Sequence, residues 1–365
     1  MARQSTKKSP AKAASKSTPK VLRLAFIGAG GIAQNQHMPR FAEMADVELV
    51  AASDPNQDAL NAVATKFGIE KHYSDWKQML KQEELDAVSV CTPNFLHAPA
   101  AIDALNAGCH VLVEKPLAMN PAEGRKMLDA AKKNDKALVI GFQYRFHPAT
   151  QALKRAADDG AFGEIYFVKC QALRRRGIPN WGVFGRKDMQ GGGAMIDIGV
   201  HIMEMAHYVM GCPAPVAASG SVFTNIGNQP CNVACQWPDW DYKTYTVEDL
   251  AIGQIRFETG AIMQVEVAFA AHIEKNIWNW KLMGQKGGCQ WDPPAIFHDT
   301  YGSMTNSELG HFGANNQFDR KMRGFVETAL YGKPSESPAE HGQMVQKMID
   351  GIYRSAETGR EVTIK

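Results

Sequence analysis

Asp197 and His201 stand four residues apart in Met195-Ile196-Asp197-Ile198-Gly199-Val200-His201, within an apolar stretch whose spacing predicts a helix over 194–209. On a helix this spacing puts a carboxylate and an imidazole on one face, a turn apart. An imidazole beside a carboxylate can take and return a proton near neutral pH. Lys115 follows the apolar run Val111-Leu112-Val113 and Glu114, and precedes Pro116. Proline stiffens the residue before it, so this ammonium can act as a fixed cation for an oxygen that gains negative charge. A third signal is Gly28-Ala29-Gly30-Gly31-Ile32-Ala33, which fits G-x-G-x-x-A after an apolar run and before a helical pattern. Gly28 permits the tight turn, Gly30 lets a pyrophosphate reach the backbone, and Ala33 lets the helix pack on the strand. Gly31 and Ile32 complete a turn whose free N–H groups suit phosphate. Asp54 follows the second apolar run and can accept both ribose hydroxyls of an adenosine. The next residues, Pro55 to Asp58, offer no cation for a 2′-phosphate, so NAD is expected over NADP.

These groups need a scaffold, and the chain supplies one in two parts. Between Val21 and Arg145, strand-like runs at 21–27, 47–53, 86–91, 110–113 and 137–140 alternate with helical patterns at 31–44, 57–67, 97–107 and 121–133. The runs are nearly all apolar, as in strands covered on both faces. Alternation of this kind predicts a doubly wound parallel sheet, with its ligand edge at the strand C-termini. Residues 21–145 are therefore expected to form an NAD-binding Rossmann domain. From 146 to 365 the pattern changes. A helix at 148–158 leads to a strand at 164–173 and to the triple glycine 191–193, which precedes the 194–209 helix. Strand-like runs at 215–223, 248–257, 261–269 and 276–283 then follow without helices between them, and Glu258-Thr259-Gly260 marks a hairpin. Helices at 316–331 and 339–356 and a short last strand close the chain. This part reads as an α/β domain with an open, largely antiparallel sheet.

Residues 1–20 hold six bases and no acid and read as a disordered tail, leaving a body of 34 bases and 38 acids that gives no reason to expect nucleic acid. No run approaches a membrane span and no apolar leader core is present, so a cytoplasmic protein is expected. The seven cysteines form no Cys-x-x-Cys, and neither a metal nor a redox role is expected for Cys231 and Cys235. The segment 229–246 is rich in aromatics, with Trp237, Trp240, Tyr242 and Tyr245 available to stack on a sugar or to cover an interface. For Trp278, Trp280 and Trp291 a structural role is expected, and His298 and Tyr301 are minor pocket candidates.

Taken together, AFIGAGGIA, SVCTPNFLHAPAAIDALNAGCHVLVEKPLA, GFQYRFHPA, GGGAMIDIGVHIMEM and VEDLAIGQIRFETGAIMQVEVAF resemble the glucose–fructose oxidoreductase / inositol dehydrogenase (Gfo/Idh/MocA) family, in the right order over nearly all of 21–365. The resemblance implies a pocket between the two domains and a homodimer or homotetramer built through the open sheet. It implies Lys115, Asp197 and His201 as the catalytic group and a cis peptide before Pro116. Thr92, Pro93, Asn94 and His97, with Glu114 and Gln143, are implied on the cofactor side. Arg145, Arg174 and Trp181 are implied on the substrate side with the catalytic group, and Arg175, Arg176, Arg186 and Lys187 lie in the same stretch. The reaction implied is hydride transfer between NAD and a secondary hydroxyl of a sugar, glycoside or cyclitol. Redox-assisted glycoside elimination without net NADH is an alternative, and a non-catalytic NAD or sugar sensor a more remote one.

Overall fold

The computed structural model describes residues 21–365, and the basic tail inferred for 1–20 lies outside the described residues. Six strands, β1 (Leu22–Ile27), β2 (Val47–Ser53), β3 (Lys71–Tyr73), β4 (Ala87–Val90), β5 (His110–Val113) and β6 (Leu138–Ile140), pair in parallel in the order β3-β2-β1-β4-β5-β6. The chain winds outward to β3 and then returns to β4, so the sheet reverses direction between β1 and β4. That crevice is where such sheets bind ligands. Helices α1 (Met38–Ala42), α2 (Gln57–Phe67), α3 (Trp76–Gln82), α4 (His97–Asn106) and α5 (Pro121–Lys133) connect the strands. The sequence pattern misses β3 and α3, because a three-residue edge strand and a seven-residue helix are too short to show a period.

The helix expected at 31–44 opens as a π turn over Ala33–His37 before α1 begins. Pro39 lacks the N–H that would bond the carbonyl of Asn35. The Arg40 guanidinium replaces it, donating to the carbonyls of Asn35 (3.3 Å) and Gln36 (3.0 Å).

The second sheet has nine strands: β7 (Ile165–Leu173), β8 (Pro215–Phe223), β9 (Leu250–Phe257), β10 (Ile262–Ala268), β11 (Ile277–Gly284), β12 (Gly287–Gln290), β13 (Ala295–Thr300), β14 (Ser303–Glu308) and β15 (Val362–Thr363). Their order is β14-β13-β12-β11-β7-β10-β9-β8-β15, antiparallel except for the parallel pair β7–β10. The hairpin at Glu258-Thr259-Gly260 joins β9 to β10, with Gly260 at φ +86°. Helices α6 (Pro148–Asp158), α7 (Lys187–Gln190), α8 (Val200–Val209), α9 (Gln317–Tyr331) and α10 (Ala339–Thr358) complete the fold. Along β9, burial alternates strictly, with Ala251, Gly253, Ile255 and Phe257 turned inward and Ile252 and Arg256 exposed. One face of this sheet is therefore covered and the other open.

Three details depart from the sequence reading. The helix expected at 194–209 begins as a π turn over Met195–Gly199 and becomes α-helical only at Val200. His298 and Tyr301, the minor pocket candidates, stand in the hairpin β13–β14, with Tyr301 fully exposed at its turn. The stretch 146–365 also gives one helix back to the first domain: Met322, Phe325 and Val326 of α9 pack with Leu22, Leu24 and Phe26 of β1. Among the described residues, no helix is long and apolar enough to cross a membrane, and no cluster of side chains has the makings of a metal site.

Candidate active site

Lys115, leaving β5, meets Asp197 of the second domain. Its Nζ donates to Asp197 Oδ1 at 2.8 Å and to the Asp197 carbonyl at 3.2 Å. The Lys115–Pro116 peptide is cis. Burial opposes ionisation of Asp197, but Lys115, Arg174 and His201 prevail and hold the carboxyl below its ordinary range. His201, one turn further, is buried. Burial first, and the Lys115 cation second, push its pKa down to about 3, so the ring is neutral at physiological pH. Its Nδ1 is sealed and has no hydrogen-bond partner among the described residues, whereas Nε2 keeps some access. The Asp197 carboxylate is thus hydrogen-bonded to Lys115, and among the described residues it makes no hydrogen bond to His201.

The segment carrying Asp197 is held by a residue that the sequence reading did not single out. Glu248 accepts the N–H groups of Gly193 (2.8 Å) and Met195 (2.9 Å) and the hydroxyl of Tyr353 (2.8 Å). It caps the amide groups that the start of a helix leaves free. Only glycine fits at 193, where a Cβ would stand 2.0 Å from the Glu248 carbonyl oxygen.

On the Rossmann side, Gly28 has φ +93°, and a Cβ there would fall 2.7 Å from the carbonyl of Cys91 at the end of β4. A Cβ on Gly30 would meet nothing within 4 Å, so the turn presents bare backbone to an open crevice. Ala33 is fully buried, while Gly31 and Ile32 are exposed. Asp54 accepts the Ala29 N–H at 2.8 Å through Oδ2 and the Asn56 N–H at 2.8 Å through Oδ1. Each oxygen retains a lone pair for a ribose hydroxyl. Two buried oxygens near the strand ends, Thr92 Oγ1 and Gln143 Oε1, lack partners among the described residues. An open glycine backbone, an acid after β2 and unpartnered polar atoms along one edge form a donor set that fits a dinucleotide.

The model of an oxidoreductase family with an NAD-binding Rossmann fold matches residues 22–142, and the GFO/IDH/MocA C-terminal domain matches residues 150–290. The chain belongs to the Gfo/Idh/MocA family. It is accordingly an oxidoreductase with an NAD-binding Rossmann domain. Within the family it is 40% identical over 356 residues to the D-glucoside 3-dehydrogenase of Escherichia coli, covering 97% of this chain and 100% of that one. Its fold is similar to that of the aldose–aldose oxidoreductase of Caulobacter crescentus complexed with glycerol (TM-score 0.79, 26% identity, 94% of this chain and 100% of that one). A levoglucosan dehydrogenase in complex with NADH and L-sorbose is also similar (TM-score 0.80, 25% identity, 95% and 99%).

The structure distributes the other family-implied residues unevenly. Arg174 is brought to the site, close enough to Asp197 to lower its pKa, with its guanidinium over the rings of Trp237 (5.3 Å) and Phe269 (5.6 Å). Trp181 is half-exposed and packs edge-on against Trp237 at 4.8 Å. Pro93 is exposed, and Asn94 Nδ2 is committed to the Gln190 carbonyl at 3.0 Å. His97 does not face the cofactor crevice: its buried ring bridges the carbonyls of Pro116 (2.7 Å) and Thr92 (2.9 Å). Glu114 points into the domain interior, where it pairs with Lys321 (2.6 Å) and His37 (2.8 Å). Arg145 is fully buried, ion-paired with Glu204 at 2.5 Å and donating to the Glu336 carbonyl at 2.7 Å. It is a strut between elements and cannot reach a substrate. Arg175 and Arg176 are hydrogen-bonded to Glu274 and His272, Arg186 pairs with Asp188 and Lys187 with Glu357.

Two aromatic residues at the site had no expected role there: Tyr144, inside the segment GFQYRFHPA, and Trp278, expected to be structural. Tyr144 packs edge-on against His201, with ring centroids 5.2 Å apart, and Trp278 lies 5.5 Å from Tyr144 and 6.5 Å from His201. Trp278 Nε1 is buried without a partner among the described residues. Trp280 and Trp240 belong to the core, and Trp291 donates to Thr150 at 3.0 Å.

Proposed function

We propose that this protein oxidises a ring hydroxyl of a D-glucoside, at C3, with NAD as hydride acceptor. The observation that carries this reading is the contact between Lys115 Nζ and Asp197 Oδ1 at 2.8 Å, with neutral His201 one turn on, at the edge that bears the glycine turn. Full-length similarity to a D-glucoside 3-dehydrogenase supports the substrate class and the carbon.

When bound, NAD supplies a nicotinamide carbon that takes the hydride. Lys115 holds the reacting oxygen as a hydrogen-bond donor and stabilises the negative charge that grows there. His201 receives the hydroxyl proton at Nε2, its accessible nitrogen. Asp197 fixes the position of the Lys115 ammonium, and its remaining lone pairs accept a neighbouring sugar hydroxyl. Tyr144 and Trp278 wall the imidazole and exclude water from it. In the reverse direction Lys115 polarises the ketone and His201 returns the proton.

The open face of the second sheet, with Ile252, Met283 and Arg256 exposed, is the surface we assign to self-association as a homodimer or homotetramer. Seven unpaired thiols suit a cytoplasmic setting. The test is a panel of alkyl and aryl glucosides, free hexoses and inositols with NAD⁺ and NADP⁺, read by absorbance at the NADH band and by NMR of the products. A 3-keto-glucoside formed with one NADH per turnover is the expected result. No reduced cofactor with any member of the panel refutes the reading, and aglycone release without NADH replaces it with redox-assisted elimination.

A further inference from the structure

The segment between β8 and β9 brings two cysteines together outside the catalytic group. Cys231 Sγ lies 3.8 Å from Cys235 Sγ, and both residues are partly exposed. The other thiols differ. Cys91, Cys109, Cys170 and Cys289 are buried, and burial pushes Cys91 up to about 12 and Cys109 up to about 11. Cys212 faces His341 Nδ1 at 3.6 Å and has no thiol partner among the described residues.

The segment holding the pair contains no helix or strand, yet it is firmly anchored at its base. Asp249 Oδ2 accepts the N–H groups of Asn225 (2.8 Å), Ile226 (2.6 Å) and Gly227 (2.7 Å), and Trp240 Nε1 donates to the Gly227 carbonyl at 2.8 Å. Between these anchors, Val233 to Gln236 line a cavity with Arg176 and His272. Partial burial and the neighbouring Cys231 hold the Cys235 thiol above its ordinary range, while the Trp237 amide and Arg176 oppose them. Two residues past Cys235 stands Trp237, whose ring lies under the Arg174 guanidinium and against Trp181. The 231–235 loop is thereby joined by two residues of chain to the ring that packs on Arg174.

We propose that Cys231 and Cys235 are an oxidisable dithiol that closes to an intrachain disulfide on exposure to peroxide, and that closure moves Trp237 against Arg174 and so changes the affinity for the sugar substrate. The chemistry balances with hydrogen peroxide as oxidant. One thiolate attacks a peroxide oxygen, giving a sulfenic acid and hydroxide. The second thiolate displaces hydroxide from that sulfur and forms the S–S bond. Two thiols and one peroxide yield one disulfide and two waters. The sulfur atoms need only close to about 2 Å, within reach of a loop that lacks regular structure.

The experiment uses the full chain, native, with equimolar hydrogen peroxide, followed by alkylation and peptide mapping. A peptide that holds both cysteines and is lighter by two hydrogen atoms, restored by dithiothreitol, is the expected product. Cys231→Ser and Cys235→Ser each abolish it and leave the kinetics of the reduced enzyme unchanged. In the parent, oxidation changes the KM for the glucoside by roughly two- to tenfold, the scale of one aromatic contact, and leaves the KM for NAD⁺ in place. The proposal fails if the two thiols stay reduced, go on to sulfinic acid or pair elsewhere, and its coupling to the site fails if the bond forms with the glucoside KM unchanged. The kinetic readout rests on the proposed dehydrogenation; the peptide map does not, so the two readings fail separately.

Discussion

Replacing Lys321 by methionine tests how the catalytic lysine is held. Lys321, on α9, reaches Glu114 Oε1 at 2.6 Å, and His37 Nε2 reaches the same oxygen at 2.8 Å. His37 Nδ1 meets Ser89 Oγ at 2.8 Å. Burial would raise the Glu114 pKa, but Lys321 and His37 hold it well below its ordinary range. Burial, with Lys321 second, pushes His37 down to about 4. The cluster is therefore one buried ion pair and a neutral imidazole that donates from Nε2 to the carboxylate and accepts from Ser89. The carboxylate packs against Gly141, where a Cβ would stand only 2.7 Å from Glu114 Oε1, so the cluster requires glycine there. Lys321→Met strands a carboxylate in the interior, and such a break costs about 3–5 kcal/mol. Lys321→Met combined with Glu114→Gln removes both charges and is expected to recover most of that loss. Denaturant unfolding followed by tryptophan fluorescence gives both differences. Because Glu114 immediately precedes Lys115, the single variant also lowers kcat. A single variant within about 1 kcal/mol of the parent, or a double variant no more stable than the single, would refute the reasoning.

Lys115→Ala and His201→Ala are each expected to lower kcat/KM by about 10²–10⁴-fold; turnover close to that of the parent, with the fold intact by circular dichroism, would exclude the assigned role. Asp54→Ala removes the acceptor beside Ala29 N and is expected to raise the KM for NAD⁺ and to narrow the preference over NADP⁺, which initial-rate kinetics with the two cofactors measures. Stability is expected to fall as pH drops from 6.5 towards 4. Burial pushes His37 and His207 down to about 4 and His201 to about 3, so below pH 6.5 the unfolded chain binds protons that the folded one does not. Each such group contributes a slope of roughly 1 kcal/mol per pH unit. Burial raises Glu204 and Glu248, which act in the opposite sense, but the histidines outnumber them. A melting temperature that is flat or rising on acidification through this window would contradict the assignment.

What was legible in the sequence was local. Gly28 and Gly30, Asp54, Lys115 before its proline, and the Asp197–His201 spacing are signalled within a few residues, because a tight turn, a strand end or one helical turn restricts the residue types it accepts. The strands of both sheets were legible wherever burial imposed a continuous or alternating apolar pattern. β14 (Ser-Met-Thr-Asn-Ser-Glu) has neither, since it lies at the sheet edge with both faces wet. The supports of the site were hidden for a different reason: Lys321 lies 207 residues from Glu114, and Glu248 lies 55 from Gly193. No local pattern encodes such pairs, and a buried Lys or Glu looks in sequence like a surface one.

Arg145 shows the converse error. The family resemblance implied it on the substrate side, as it implied Gln143 on the cofactor side. The short 3₁₀ turn Gln143–Phe146 separates them. At about three residues per turn, neighbours two apart cannot share a face. Gln143 keeps an unpartnered oxygen, Tyr144 meets His201, and Arg145 turns inward to Glu204. Chain position brings a segment to a site, but the phase of the turn decides which side chain arrives there. In this turn the residue delivered to the imidazole is Tyr144, which stands between the two residues given a role by the resemblance.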